Sequence, residues 1–161
     1  MELRPYAGGD IWLTEELETD AAVMSELGGP QPPESIPKTH ERRLGAVESA
    51  NWWLVIEPEP GVAAGTIGVW PTTQDGVEMF EVGWMVLPRF QRRGIASSAL
   101  AELIARCRAE ARIDAIHAFP GATNVASNAL CRNAGFTWVE EREVLYGDRP
   151  LTVNHWELAT A

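Results

Sequence analysis

The segment 85–98 combines residue types that bind an anion through the main chain. An apolar strand-like run leads through a short turn into a helical pattern that opens at Gly94. Gly94 and Ala96 leave the N–H groups of the first helical turn uncovered, where unpaired donors and the positive end of the helix dipole converge. Arg92 and Arg93 add positive charge at the same place. The pattern predicts an anion site, and the alternative is an ordinary strand-to-helix turn with solvated arginines.

A second segment with a recognisable pattern follows further along the chain. Residues 91–96 have the pattern Gln-x-x-Gly-x-Ala, and residues 124–136 begin with Asn-x-x-Ser and end with Gly-Phe. Together and in this order, the two segments resemble those of the GNAT family of acetyl-CoA-dependent N-acetyltransferases. The Asn-x-x-Ser spelling and the Glu-Val-Gly-Trp strand at 81–84 are most similar to the branch that contains ribosomal-protein N-terminal acetyltransferases.

The resemblance implies that acetyl-CoA is the co-substrate and assigns a role to each matching segment. Main-chain groups at the strand end would pair with the pantetheine arm, and N–H groups of the turn would cradle the pyrophosphate. Asn124 would bond the pantetheine or a water, and asparagine is also a favoured helix N-cap. The implied acetyl-CoA site comprises Met85, Val86 and Leu87 on the strand, Gln91, Arg92, Arg93, Gly94, Ile95, Ala96 and Ser97 in the turn, and Asn124, Ser127 and Cys131 on the second helix.

Acyl transfer to an amine requires a base, an oxyanion donor and an acid for the leaving group. Glu81 is the predicted base, because family members often carry a catalytic glutamate four residues before the position of Met85. We expect the neighbouring Phe80 and Trp84 to raise the Glu81 pKa. The alternative is a solvated glutamate on an exposed sheet face. The N–H of Val86 is the predicted oxyanion donor.

The acid has two candidates. The family commonly places a tyrosine seven residues after the asparagine, and here that position holds Cys131. A thiol can donate a proton, but a cysteine on a short packed helix is more often a core residue. Ser127 is the alternative, since the branch that this sequence resembles is thought to use a serine at this position. We favour Ser127.

Composition excludes several classes of protein. The chain has 161 residues and a formal net charge of −10, which argues against binding to nucleic acid and to anionic membranes. No apolar run reaches the roughly 18 residues of a membrane-spanning helix, and residues 1–5 lack the pattern of a secretory signal. The two cysteines indicate a reducing, cytoplasmic setting. No metal site is predicted, because no Cys-x-x-Cys motif or Cys/His cluster occurs along the sequence.

The order of predicted elements indicates a mixed α/β (α+β) chain that forms a single domain over residues 1–161. The resemblance implies the GNAT fold, with a twisted, mostly antiparallel sheet of about seven strands and helices on both faces. His117 is predicted to be a hydrogen-bonded structural histidine, and His155 carries no functional signal. The predicted strands are 2–6, 51–57, 62–70, 77–87, 115–119, 136–144 and 151–158, and the predicted helices are 11–27, Thr39 to near Ala50, 94–110 and 127–134.

The sequence therefore predicts an N-acetyltransferase that transfers acetyl to a primary amine, either of a protein N-terminus or of a small molecule, by direct attack. The alternative is a catalytically weak GNAT-like acyl-CoA-binding module, which the missing tyrosine motivates. An unrelated nucleotide-binding domain that shares the Gly94 turn by chance is a further, disfavoured alternative. The sequence does not determine the oligomeric state; because many similar proteins dimerise, the terminal hairpin with its Trp156 is a candidate contact edge for a homodimer.

Overall fold

The computed structural model describes residues 1–49, 52–110 and 112–161. Its seven strands form one sheet in the order β1-β2-β3-β4-β5-β7-β6. Neighbouring strands are antiparallel except β4 and β5, which are parallel. The strands are β1 (Glu2–Pro5), β2 (Trp52–Glu57), β3 (Gly65–Gln74), β4 (Val77–Val86), β5 (Ala115–Ala118), β6 (Thr137–Tyr146) and β7 (Arg149–Ala159).

Within the described ranges, five α-helices cover the two faces of this sheet. They are α1 (Ile11–Thr19), α2 (Ala21–Met24), α3 (Ile36–Glu48), α4 (Ile95–Ala109) and α5 (Val125–Asn133). Apolar residues of α4 and α5 pack on one face, around Leu100 and Leu103, and those of α1 and α3 pack on the other, around Leu13 and Leu17. The predicted mixed fold, with about seven strands and helices on both faces, is confirmed. No helix of the described residues is long and apolar enough to cross a membrane.

The prediction of one continuous helix over 11–27 is wrong. The chain is extended at Asp20, whose carboxylate accepts hydrogen bonds from the N–H groups of Ala22 and Val23 and so caps a separate short helix. Thr39 is likewise not a helix cap. The helix α3 begins three residues earlier, at Ile36, because Pro37 in its first turn removes an N–H that would have no helical partner anyway.

The predicted strand over 62–70 begins later, at Gly65, and ends later than expected. β3 continues through Pro71 to Gln74, and only Asp75 and Gly76 form the turn, both with positive φ. Within the described residues, the pairing of β2 with β3 ends at Val69, before Pro71 is reached. The predicted helix end near Ala50 and strand start at Asn51 lie outside the described residues.

Trp156 does not form the predicted contact edge. It lies on β7, which is an inner strand between β5 and β6, and it is buried in the core. Its indole N–H donates to the side-chain oxygen of Asn128, at 2.9 Å. Trp156 therefore joins helix α5 to the sheet instead of presenting a surface to a second chain.

Candidate active site

An opening in the sheet lies between the two parallel strands. β4 and β5 pair only at Phe80 with Ile116 and at Glu81 with His117. Beyond these pairs β4 continues to Val86, whereas β5 ends at Ala118. The second half of β4 is therefore bound to β3 alone, and its edge on the β5 side is free to accept an added strand-like ligand.

The main chain of Val86 faces this opening. In an antiparallel pair both groups of a residue point to the same side, and alternate residues point to opposite sides. The N–H of Leu87 donates to the carbonyl of Ala64 at 2.9 Å, and the carbonyl oxygen of Met85 lies against Gly65, so both point towards the chain that leads into β3. By alternation, the N–H and C=O of Val86 point away from β3.

Because of this alternation, the three strand residues that were predicted to bind acetyl-CoA differ in the direction and the partners of their main-chain groups. The carbonyl of Leu87 accepts from the N–H of Phe90 at 2.8 Å, so both main-chain groups of Leu87 have partners within the chain. The side-chain amide of Gln91 donates to the carbonyl of Val86 at 2.9 Å, which leaves the Val86 N–H for a ligand. Among the three residues, Val86 is the one whose main-chain N–H points away from β3.

The turn before α4 has the backbone shape of an anion cradle. Arg92 and Gly94 both adopt positive φ, of 58° and 75°. Gly94 is the N-cap and supplies no side chain to the first turn. Positive φ at a non-glycine residue costs free energy, and such strain persists where the surrounding structure requires it. Successive N–H groups in a turn of this kind converge on an anion, and those of Ile95, Ala96 and Ser97 open the helix at the same point.

Gln91 and the two arginines have distinct positions in this turn. The N–H of Gln91 already donates to the carbonyl of Pro88, at 3.2 Å, so Gln91 anchors the turn through both its main chain and its amide. Arg93 is exposed, with its guanidinium 5.8 Å from the centroid of the Phe90 ring. Arg92 is exposed as well. Their charges reinforce the positive end of the α4 dipole.

The first turn of α5 lies at the same edge of the sheet as the start of α4. β4 and β5 are parallel, so the helices that follow them both begin beside the opening. The side chain of Asn124 caps α5, because its oxygen accepts from the N–H of Ser127 at 3.0 Å. Asn124 and Ser127 are both partly exposed. The structure thus brings these two residues and the turn at 91–97 to one edge.

Asn128 holds the start of α5 in this position, and its role was not predicted from the sequence. Its buried amide donates to the carbonyls of Gly121 and Asn124, at 2.9 and 2.8 Å. Its oxygen accepts from Asn154 and Trp156, both at 2.9 Å. All four hydrogen-bonding positions of the amide are therefore filled, which ties α5 to β7 and to the loop after β5. The feature of the sequence that could have indicated this role is a polar residue at a helical position that faces the core.

Cys131 lies in the hydrophobic core beneath α5 and is 0% exposed. Burial raises the pKa of its thiol to about 12. A thiol in this environment is a weak acid and a poor nucleophile at neutral pH. The structure therefore places the two acid candidates differently, with Ser127 at the edge of the opening and Cys131 beneath the helix.

Glu81 lies on the opposite face of the sheet from α4 and α5. Burial raises its pKa to about 7, and a hydrogen bond from the Trp70 side chain partly lowers it. Phe80 and Trp84 alternate onto the other face, where they pack against the core of α4. The predicted direction of the shift is confirmed, but the predicted neighbours are wrong: Trp70, its partner on β3, contacts the carboxyl group instead.

A buried polar network lies beside Glu81, under α1 and α3. The guanidinium of Arg43 pairs with Glu18 at 2.5 Å and lies 4.9 Å from the ring centroid of Trp53. The rings of Trp53 and Trp70 are 5.2 Å apart, so this network reaches the neighbour of Glu81. No sequence motif indicated it, because its members come from four separate elements.

The histidines form a pair that the sequence did not predict. Nδ1 of His117 lies 2.9 Å from Nε2 of His155, and the Phe119 ring stacks on His155 with centroids 4.7 Å apart. His117 is hydrogen-bonded, as predicted. His155, which carried no signal in the sequence, is its partner because β5 and β7 are neighbours.

Comparisons with known proteins agree with this fold. The family model described as an acetyltransferase (GNAT) domain matches residues 1–137. No curated protein matches the chain. The solved structures that it resembles include a ribosomal-protein-alanine N-acetyltransferase from Brucella melitensis, with a TM-score of 0.81 and 22% identity over 99% of each chain.

Two further similar structures contain the coenzyme. One is a spermidine N-acetyltransferase from Vibrio cholerae in complex with CoA and spermine, with a TM-score of 0.80 and 16% identity over 99% of this chain and 95% of that one. The other is a ribosomal L7/L12 alpha-N-protein acetyltransferase in complex with coenzyme A, with a TM-score of 0.79 and 17% identity over 98% and 92%.

The fold, the opening and the anion cradle define an acetyltransferase of the GNAT class, and the chain belongs to the GNAT acetyltransferase family. The predicted family is confirmed, and the structural neighbours include the type of enzyme that the sequence resembled. Acetyl-CoA as the co-substrate is supported by the family assignment. The alternative of an unrelated nucleotide-binding domain is excluded.

Proposed function

We propose that this chain is an N-acetyltransferase that transfers acetyl from acetyl-CoA to a primary amine by direct attack. The observation that carries the proposal is the position of Glu81, whose pKa is raised to about 7, on the strand that borders the opening. A carboxylate with this pKa is suited to accept a proton near neutral pH.

The two faces of the sheet separate the base from the acid. Glu81 points to the face covered by α1 and α3, whereas Ser127 belongs to α5 on the other face. The opening between β4 and β5 connects the two faces. This arrangement suits direct attack, in which the amine adds to the thioester carbonyl carbon and the thiolate leaves from the tetrahedral intermediate that forms.

Glu81 would act through water. Four strand residues at about 3.4 Å each place its Cα about 14 Å from that of Met85, which is longer than the side chain can span. Ordered water between Glu81 and the amine would pass the proton to the carboxylate. The N–H of Val86, which points into the opening, would donate a hydrogen bond to the developing oxyanion.

Ser127 would supply the proton for the departing sulfur. Its hydroxyl lies in the first turn of α5, at the edge of the opening, and its main-chain N–H is already held by Asn124. Cys131 is the weaker candidate, because it is buried and its pKa is raised to about 12. A covalent intermediate on Cys131 is disfavoured for the same reason.

The residues present fit acetyl-CoA, which supplies an activated acetyl thioester when bound. The free edge of β4 at Val86 would pair with the pantetheine arm. The N–H groups from Arg92 to Ser97 would hold the pyrophosphate, with the exposed arginines of the turn adding charge. Asn124 would contact the arm beside the start of α5. Met85 and Leu87 would hold the strand in place.

The acceptor is proposed to be the primary amine of a protein N-terminus or of a small molecule. The net charge of −10 favours a cationic acceptor over an anionic one. The named substrates of the similar structures, a ribosomal protein and spermidine, are amines of these two kinds. Both are therefore the first acceptors to test.

The test is amine-dependent release of free thiol from acetyl-CoA. The amines are spermidine and a peptide with N-terminal alanine, and the control is the same peptide with a blocked N-terminus. We expect thiol release with at least one free amine and none with the blocked peptide. Thermal unfolding with acetyl-CoA, against ATP as the control, measures cofactor binding separately. An acetyl-CoA-specific increase in Tm without thiol release from a broad panel of amines would favour the catalytically weak binding module.

A further inference from the structure

Three possible metal-binding side chains meet on one face of the sheet, on two neighbouring strands. His117 on β5 is the register partner of Glu157 on β7, and His155 lies two residues before Glu157 on the same strand. Residues two apart on a strand share a face. Nδ1 of His117 lies 2.9 Å from Nε2 of His155 and 3.9 Å from a carboxylate oxygen of Glu157. The three candidate ligand atoms lie within 4.8 Å of one another.

The surroundings hold the two imidazoles in place and in the neutral form. Burial lowers the pKa of both His117 and His155. Phe119 stacks on the His155 ring and fixes its plane. Nδ1 of His155 is buried and has no hydrogen-bond partner within the described part of the chain. A neutral imidazole carries one proton, which can occupy either ring nitrogen.

We propose that His117, His155 and Glu157 form a binding site for a divalent transition-metal ion of the Zn²⁺ type. Two neutral imidazoles and one carboxylate are a ligand set that Zn²⁺ accepts with a fourth position for water. Zn–N bonds of about 2.0–2.1 Å in a tetrahedral site put two nitrogens about 3.3 Å apart. The observed 2.9 Å separation therefore has to open by only a few tenths of an ångström.

Each imidazole keeps its single proton when the ion binds, and only the nitrogen that carries the proton changes. In the metal-free pair, one facing nitrogen donates its proton to the other. For both lone pairs to bind the ion, the protons occupy Nε2 of His117 and Nδ1 of His155, the two nitrogens that face away from it. Glu140, the partner of His155 on β6, and Arg142 also influence the charge around His155.

His117 is the register partner of Glu81 on the neighbouring strand, so the metal site adjoins the proposed base, but its ligands do not depend on the proposed function. No metal site was predicted from the sequence, because the three ligands do not form a cluster along the chain. His117 and His155 are 38 residues apart and meet only through the pairing of β5 with β7.

The experiment is titration of the full chain, first treated with a chelator, with Zn²⁺ by calorimetry and with Co²⁺ by electronic absorption. We expect one ion for each chain, an increase in Tm with Zn²⁺, and the intense absorption of four-coordinate Co²⁺. The ligand variants are His117→Gln and Glu157→Gln, and each is expected to weaken Zn²⁺ binding by at least about tenfold.

Glu143→Gln is the matched control, since it removes an exposed carboxylate from the same hairpin, where its partner is Thr152. It is expected to bind Zn²⁺ as the native chain does. Glu157 is exposed, so its substitution tests the site even if the His117 variant does not fold. Absence of Zn²⁺ binding by the native chain, or equal affinity in the native chain and Glu157→Gln, would overturn the proposal.

Discussion

Trp70 on β3 and Glu81 on β4 lie opposite each other in the sheet, and the Trp70 side chain hydrogen-bonds the carboxyl group. Gly83, two residues along from Glu81, leaves room for the indole, because a Cβ there would lie 2.7 Å from Cη2 of Trp70. The partly buried carboxyl group therefore has one specific neighbour that stabilises its charged form. This contact opposes the larger effect of burial on the pKa of the proposed base.

Replacing Trp70 with phenylalanine is expected to raise the Glu81 pKa further above about 7. The hydrogen bond that favours the carboxylate is lost, while the burial that disfavours it remains. The acid limb of the kcat/KM profile should move to higher pH. The control is Trp52→Phe, which changes a different tryptophan, on β2. It should not shift the acid limb of the kcat/KM profile. A limb at the same pH in Trp70→Phe would contradict the assigned interaction.

Glu81→Gln is expected to change stability with pH. The folded-state pKa of about 7 lies above the ordinary 4.5, so the folded chain binds this proton more tightly than the unfolded chain. The resulting stabilisation is complete below pH 4.5 and is lost as the pH rises to 7. Glutamine does not ionise, so the variant does not lose stability in this way as the pH rises.

The stability of Glu81→Gln relative to the native chain should therefore increase between pH 4.5 and pH 8, by up to about 3 kcal/mol. The measurement is denaturant unfolding at both pH values. Glu78→Gln, an exposed residue on the same strand, is the control and should show no comparable change. A relative stability of Glu81→Gln that is independent of pH would show that this carboxyl group is not buried in solution.

The two acid candidates can be separated by their alanine variants. Ser127→Ala removes only the hydroxyl, because the bond from its main-chain N–H to Asn124 remains. We expect kcat to decrease about 10²-fold with little change in Tm. Cys131→Ala should keep kcat and lose about 1 kcal/mol of unfolding free energy, because it leaves a small cavity in the core. The reverse pattern, with kcat lost only in Cys131→Ala, would reassign the acid to the thiol.

Gly94→Ala tests the anion cradle, and Gly76→Ala is its matched control. Both glycines have positive φ and have open space where a Cβ would stand. Alanine at either position is expected to cost about 1 kcal/mol of stability through backbone strain. Only Gly94→Ala should also raise KM for acetyl-CoA, by about tenfold, which corresponds to about 1.4 kcal/mol. Equal KM values for acetyl-CoA in the two variants would show that the turn does not bind the cofactor.

The sequence was sufficient to predict the local backbone features of the candidate site. A strand, a glycine turn and a helix in immediate succession define the cradle locally, so the turn at 91–97 could be found without tertiary structure. These features depend on neighbours along the chain, which a sequence pattern records directly.

Features that depend on strand register could not be predicted in this way. Trp70 meets Glu81 across a hairpin whose turn was placed too early, at Pro71. His117 and His155 meet only because β7 lies beside β5. Asp20 was counted as part of a longer helix because its role as a cap depends on the chain turning at that residue.

The central claim is that Glu81 accepts the proton from the acceptor amine. Its most direct test is kcat/KM for acetyl transfer as a function of pH, in the native chain and in Glu81→Gln, in metal-free buffer. We expect native activity to rise through a pKa of about 7, and Glu81→Gln to lack this limb and to be at least about 10²-fold slower at neutral pH. The difference should shrink at high pH, where the amine is already deprotonated. Full activity of Glu81→Gln across the whole pH range would show that Glu81 is not the base.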